Sequence, residues 1–251
     1  MNAFAIMKSP LATSLARYWR SWGLWLLLLV APVGARYMIP LEDGQGVIIA
    51  LGGHLPEMTS AFLGVSLGIV VTTLLLPVGW IYLRSNTTRR QPWQIEEVTA
   101  ASRVAIALGR FTADAIVLLA TLAALTLAGW FLGWLIVPPR ALNLVHITLS
   151  LWLVAAPALI GLAALRILFD ARPLLRSGFG DFAYFVVWTA SIVAPIAAVG
   201  RPPSLLTNMY DFPGFLTPLQ YGAPPVMEAG DFAIIIGGGK VEPGHVQLDV
   251  L

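Results

Sequence analysis

The run Met58-Thr-Ser-Ala-Phe-Leu-Gly-Val-Ser-Leu-Gly-Ile-Val-Val-Thr-Thr-Leu-Leu-Leu-Pro-Val-Gly-Trp-Ile-Tyr-Leu83 contains no Asp, Glu, Lys or Arg, and it stops at Arg84 with Arg89 and Arg90 just beyond. About 20 predominantly apolar residues suffice for a helix to cross a bilayer, so this run is long enough to cross with tilt. The whole chain has the same character. It is 58% hydrophobic and 11% charged, with a mean hydropathy of +0.80, whereas soluble domains carry about 25% charged residues. An integral membrane protein follows from composition alone, and long apolar runs of this kind make the expected fold all-α and polytopic. The net charge of +2 comes from basic residues at span ends, where orientation and lipid headgroups account for them, so no nucleic-acid partner is implied. The absence of cysteine excludes a disulfide, a thiolate metal site and a cysteine nucleophile.

Basic flanks orient the chain. Arg84, Arg89 and Arg90 put the connector 84–110 in the cytoplasm. Residues 40–57 carry Glu42, Asp43 and Glu57 but no Lys or Arg and belong outside. Residues 1–21 carry Lys8, Arg17 and Arg20 and no acid. There Pro10 behind Ser9 suits a first helical position, and Leu11, Leu15, Trp19 and Trp22 recur near helical spacing, which predicts a cytoplasmic helix lying in the interface. The expected spans are 22–39, 58–83, 111–137, 144–165 and 182–200, joined inside by connectors 84–110 and 166–181. Five spans result, in a transmembrane domain of residues 22–200. Trp19, Trp22, Tyr37, Trp80, Tyr82, Trp134 and Tyr184 fall towards the expected interfaces, as amphipathic rings prefer. The chain is therefore expected in a cell membrane as a multi-pass protein, in a bacterium the inner membrane, with its amino terminus cytoplasmic.

Residues 201–251 differ. They are rich in proline, and their best apolar run, Phe232 to Ile236, is too short to span. That run reads as a strand, with Val246 to Val250 a candidate partner across Gly237-Gly-Gly-Lys240. A small β-containing extracytoplasmic segment is expected. The glycine loop lacks the earlier glycine and the hydroxyl residue of a phosphate-binding loop, since Ile234 and Val241 stand there, so it is read as a hairpin loop.

Little in the spans points to catalysis. His54, His146 and His245 are scattered, with no pair on one helical turn to grip a metal. Asp114 lies one turn past Arg110, within pairing reach, which favours a structural ion pair over an ion path. Gly64-x-x-x-Gly68 and Gly129-x-x-x-Gly133 each put two glycines on one helix face, where backbones can approach, although glycine is also common in membrane helices. Pro32, Pro77, Pro157 and Pro195 lie in four of the five spans and predict bends.

The connector itself has helical punctuation. Pro92 can open a helix, Glu96 and Glu97 fall early where the helix dipole favours acids, and Trp93, Ile95 and Val98 give it an apolar surface. Ser102-Arg103 can cap a second helix that runs through Gly109-Arg110 into the third span. With the basic amino-terminal helix, the pattern Glu96-Glu-Val-Thr99, Ser102-Arg103 and Gly109-Arg110 resembles the permease subunits of type-2 ABC transporters, an exporter class. Ala100 stands where many members have proline, and that family's module has six spans rather than five.

The resemblance implies a coupling helix seated in a groove of a separate ABC ATPase subunit, with Trp93, Ile95, Glu96, Glu97, Val98, Ser102 and Arg103 at the contact. It implies a second, smaller contact at Arg172, Leu174, Leu175 and Arg176, with Pro173 in its first turn and Gly178 as its stop. It further implies a homodimer or a heterodimer with a second permease, surrounded by lipid, with ATP on the partner subunit and neither cofactor nor catalytic site on this chain. Two other classes fit the same spans: a membrane anchor or assembly protein for the external segment, and an ion-coupled secondary transporter.

Overall fold

The uncharged run forms the centre of a helical bundle. In the computed structural model, which describes residues 3–39, 49–51, 54–56, 58–88, 102–197, 211, 232–234 and 242–246, α3 (Ser60–Val70) leads through a π-helical turn (Val71–Leu75) into α4 (Leu76–Thr88). Every residue of α3 is buried, as expected of a helix that is apolar all round. The Thr59 side chain caps it by accepting the Phe62 amide.

Around this rod stand α1 (Ala3–Trp19), α2 (Trp22–Met38), α5 (Arg103–Ile136), α6 (Leu144–Asp170) and, after a 3-10 turn at Pro173–Arg176, α7 (Gly178–Ala197). Among the described residues three helices are long and apolar enough to cross a membrane: Ser60–Ser85, Arg103–Ile136 and Leu144–Asp170. They mark a helical membrane protein. Two shorter apolar helices, Trp22–Arg36 and Gly178–Val193, stand beside them. The outer faces are apolar, with Trp22, Leu29, Trp134, Val145, Leu153 and Phe182 among the exposed side chains, a surface suited to lipid rather than water.

Close packing of α3, α5 and α6 rests on small residues. A Cβ added at Gly64 would lie 2.6 Å from the Ile147 carbonyl oxygen, and one at Gly68 would lie 2.9 Å from Val154. From α5, Gly129 abuts Leu67 at 2.8 Å and Gly133 abuts Ile147 at 2.6 Å on the same test. Hydroxyls then stitch α5 to α6. Thr126 donates to the Leu122 carbonyl and accepts from the Trp152 indole, while Thr148 donates to the Leu144 carbonyl and accepts from Trp130. Each hydroxyl serves as donor and acceptor at once, so neither indole N–H is left dry in an apolar setting.

The π turn has an identifiable cause. Pro77 has no N–H for the ladder, and its ring would crowd the carbonyl one turn back. The backbone widens just ahead of it, with the Leu76 amide reaching the Val71 carbonyl. The Thr73 hydroxyl donates to the Ile69 carbonyl at 2.7 Å. Two aromatic tips from α7 reach the same region: Trp188 donates to the Thr72 carbonyl at 3.5 Å and the Tyr184 hydroxyl to the Leu76 carbonyl at 3.0 Å. The bend expected at Pro77 is thus a widened turn covered by α7.

Several sequence expectations need correction. Pro10 lies inside α1 rather than at its first position, and its face of the helix packs on α5 at Gly109, where a Cβ would come within 2.5 Å of the Met7 carbonyl and 2.8 Å of the Pro10 ring. Gly178 opens α7 instead of stopping the turn before it. Trp80 and Tyr184 are not lipid-facing belt residues. They stack on each other in the interior, centroids 4.0 Å apart and planes 4° from parallel, with Phe169 edge-on to Trp80.

Among the described residues four short strands form one sheet: β1 (Ile49–Leu51), β2 (His54–Pro56), β3 (Phe232–Ile234) and β4 (Glu242–Val246), in the order β3-β1-β2-β4. β3 does not pair with the strand that follows it. It lies antiparallel to β1, and β4 lies parallel to β2. β4 includes Pro243 and is an edge strand, a position that tolerates a missing N–H. The loop Gly237–Lys240 and most of 201–251 lie outside the described residues.

Candidate functional site

Arg84 terminates the apolar part of the central rod and is almost fully buried. Its guanidinium donates to three successive backbone carbonyls of the turn before α7: Leu175 at 2.8 Å, Arg176 at 2.9 Å and Ser177 at 2.8 Å. Nε pairs with the Asp181 carboxylate at 2.9 Å, and the cation lies 5.5 Å from the Trp80 ring centroid. Trp80 donates its indole N–H to the same carboxylate at 3.0 Å.

The magnitudes say which contact matters. Asp181 is 54% exposed, so its ion pair with Arg84 contributes about 0–1 kcal/mol. Hydrogen bonds from a charged donor contribute about 1.5–3 kcal/mol each, and Arg84 makes three to backbone. The turn is therefore held by its carbonyls. Gly180 permits the approach, since a Cβ there would lie 1.8 Å from the Leu175 carbonyl oxygen.

A second polar anchor joins α1, α5 and α6. The two oxygens of Asp114 are taken by different helices, one accepting from the Tyr18 hydroxyl at 2.5 Å and the other from Arg166 at 2.5 Å. Arg166 also pairs with Asp170 at 3.0 Å, one turn along α6. Asp114 is 1% exposed and Arg166 2%. Burial first, and then the Asp114 charge, push the Tyr18 phenol well above its usual value, so it remains a donor. Buried charges persist only when paired and hydrogen-bonded, and this network supplies both.

Of the residues named from the connector, Ser102 caps α5 by accepting the Ala105 amide and Arg103 is the exposed first residue of that helix. Trp93, Ile95, Glu96, Glu97 and Val98 lie outside the described residues. The second group is brought together in the 3-10 turn: Arg172 and Leu174 face solvent, while Leu175 and Arg176 are half-buried. Arg176 donates to the Asp170 carbonyl at 2.6 Å, which ties the turn to the end of α6. The four glycines sit in the helix contacts described above, away from this turn.

Sequence reasoning missed Arg84, Tyr18 and Arg166 as anchors. Arg84 was explained fully by orientation, and nothing local names carbonyls 91 to 93 positions away. The i, i+4 pair Arg166 and Asp170 was a legible hint. The partner of Asp114 found across the bundle is Arg166, which the local reading towards Arg110 did not foresee. Among the described residues no group of His, Asp and Glu could hold a metal ion. No family model matches the chain, and no curated protein or solved structure matches it.

Proposed function

We propose that the chain is the membrane-spanning permease subunit of an ATP-driven exporter of the type-2 ABC class, worked from the cytoplasm by a separate ATPase subunit. The observation that carries this reading is the clamp at Arg84. Arg84 stands at the root of the connector 84–110, and its three carbonyl bonds tie that root to the turn bearing Arg172, Leu174, Leu175 and Arg176. A displacement applied to either cytoplasmic contact reaches the other through a buried, multiply bonded group. The opposite root, where α5 begins, is fastened to α1 by Gly109 and by the Tyr18–Asp114–Arg166 network.

Five crossings fit the sheet. β1 and β2 share it with β3 and β4, which supports reading the four strands as standing on one side of the membrane. On that reading an even number of crossings separates them. The three long helices supply an odd number, and α7 supplies the fourth. α1 packs on the start of α5, and we take α2 as a further crossing. With the basic connector inside, the amino terminus is cytoplasmic and residues 201–251 are extracytoplasmic, in a bacterium beyond the inner membrane. The subunit would act as a homodimer or with a second permease, and would carry neither a catalytic site nor ATP itself.

The test is co-purification with an ATPase whose hydrolysis the chain stimulates in liposomes. Glu96→Lys with Glu97→Lys is expected to abolish both association and stimulation. Undiminished association in that double variant overturns the assignment. The π turn favours one alternative, an ion-coupled secondary transporter, because widened turns recur at functional sites; substrate flux driven by an ion gradient without any ATPase would select it. An anchor for the external sheet would work normally with the connector replaced by a neutral linker.

A further inference from the structure

The Arg84 clamp and the Tyr18–Asp114–Arg166 anchor meet in the last turn of α6. Asp170 ends that helix and belongs to both. Its carboxylate pairs with Arg166 at 3.0 Å, and Arg166 holds the Asp114–Tyr18 link to α5 and α1. Its carbonyl accepts from Nε of Arg176 at 2.6 Å, and the Arg176 carbonyl accepts from Arg84 of α4 at 2.9 Å. The neighbouring Phe169 is buried and stands edge-on to Trp80, with centroids 5.1 Å apart, and the Arg84 guanidinium lies over that same indole.

The contacts close on themselves. Tyr82, two residues before Arg84 on α4, lies against Tyr18 of α1 with ring centroids 5.7 Å apart. The path therefore runs from α4 through the turn before α7 to α6, on to α5 and α1, and back to α4. A helix ordinarily ends with carbonyls that lack intrahelical donors. Here the Asp170 carbonyl is taken by Arg176, and the Arg166–Asp170 pair spans the turn at i, i+4 spacing. Unwinding of 166–170 takes an acceptor from Arg176 and a carboxylate from Arg166 in one event.

We propose that the last turn of α6, 166–170, couples the two anchors, so that the α4 and α5 roots of the connector tighten and loosen together. Asp170 is the junction. Coupling between separated sites is carried by a bonded element with two arrangements, here the turn wound or frayed. The device belongs to the fold and holds whether or not an ATPase works the connector.

Trypsin reads the state of the turn. Cleavage after Arg176 needs that side chain, held by the Asp170 carbonyl, and the adjoining carbonyl, held by Arg84. At low protease its rate follows the population in which the turn is open. The full chain is purified in a neutral detergent, and cleavage at that bond is followed by mass spectrometry of the fragments. Asp114→Asn, which removes the charge from the other anchor, is expected to speed cleavage about fivefold, an ordinary coupling for residues of one network. The effect runs both ways. Arg84→Gln should speed maleimide labelling of a Leu15→Cys variant, on the half-buried face of α1, by about as much. In an Asp170→Ala background the junction is cut, and Asp114→Asn should add less than about twofold. Gly64→Ala, which disturbs the packing of α3 on α6, should change cleavage after Arg176 by less than about twofold.

Unchanged cleavage in Asp114→Asn overturns the coupling, and so does an equal acceleration by Gly64→Ala, which would mean general loosening. An acceleration retained in full on Asp170→Ala removes the junction from the route. If Asp114→Asn fails to fold, the labelling of Leu15→Cys still decides, because it leaves Asp114 in place: an unchanged rate on Arg84→Gln sinks the proposal.

Discussion

Removing the carboxylate at the centre of the α1–α5–α6 anchor should be among the costliest single changes in this protein. Asp114→Ala leaves Arg166 buried at 2% exposure. Breaking a buried ion pair on one side costs about 3–5 kcal/mol, and the lower figure applies because Arg166 keeps Asp170 at 3.0 Å. The Tyr18 hydroxyl is also stranded in a buried position, which adds about 1 kcal/mol or more. The sum is about 4 kcal/mol. At about 2–4 °C per kcal/mol for a chain of this size, the thermal midpoint should drop by roughly 8–16 °C. Tryptophan fluorescence during heating in detergent measures it. A double-mutant cycle with Arg166→Ala isolates the pair, and a coupling energy of about 2 kcal/mol is expected. A midpoint within about 3 °C of the parent, or additivity of the two changes to within about 0.5 kcal/mol, would refute the account of the network.

Other predictions follow from the packing and the clamp. Gly64→Ala should destabilise by about 1–3 kcal/mol through overpacking, since its Cβ would meet the Ile147 carbonyl, whereas Gly178→Ala should be close to neutral in contacts because nothing lies within 4 Å; the same heating assay compares them. Arg84→Gln should release the turn at Pro173–Arg176 and speed tryptic cleavage after Arg176 severalfold, with Arg84→Lys intermediate because one ammonium cannot span three carbonyls and a carboxylate; unchanged cleavage would count against the clamp. Tyr184→Phe and Trp188→Phe should each cost about 1 kcal/mol of stability by removing a donor to the central rod, and their effects should add unless α7 detaches as a unit. Because the chain has no native cysteine, single cysteines at Ser102 and Gly178 can be labelled without background; reaction from the outside of intact cells at either position would invert the proposed topology.

Membrane class and the apolar core of the bundle were legible in the amino-acid order, because each depends on quantities summed along a continuous stretch. The uncharged run from Met58 to Leu83 had to be buried wherever the other helices stood. The glycine pairs marked faces that could approach a neighbour, yet only the assembled helices made Ile147 and Val154 the neighbours of Gly64 and Gly68. Tertiary structure alone decided the anchors. A guanidinium reads the same in sequence whether it faces lipid headgroups or three carbonyls, and Arg84 was indistinguishable from Arg89 until the turn before α7 came within reach. The partners of Asp114 stand 96 positions before it and 52 after it, so no local periodicity could pair them. Likewise the strand Phe232–Ile234 found its neighbour at Ile49–Leu51, because backbone hydrogen bonding depends on which edges are brought together in space and not on which segments are adjacent in the chain.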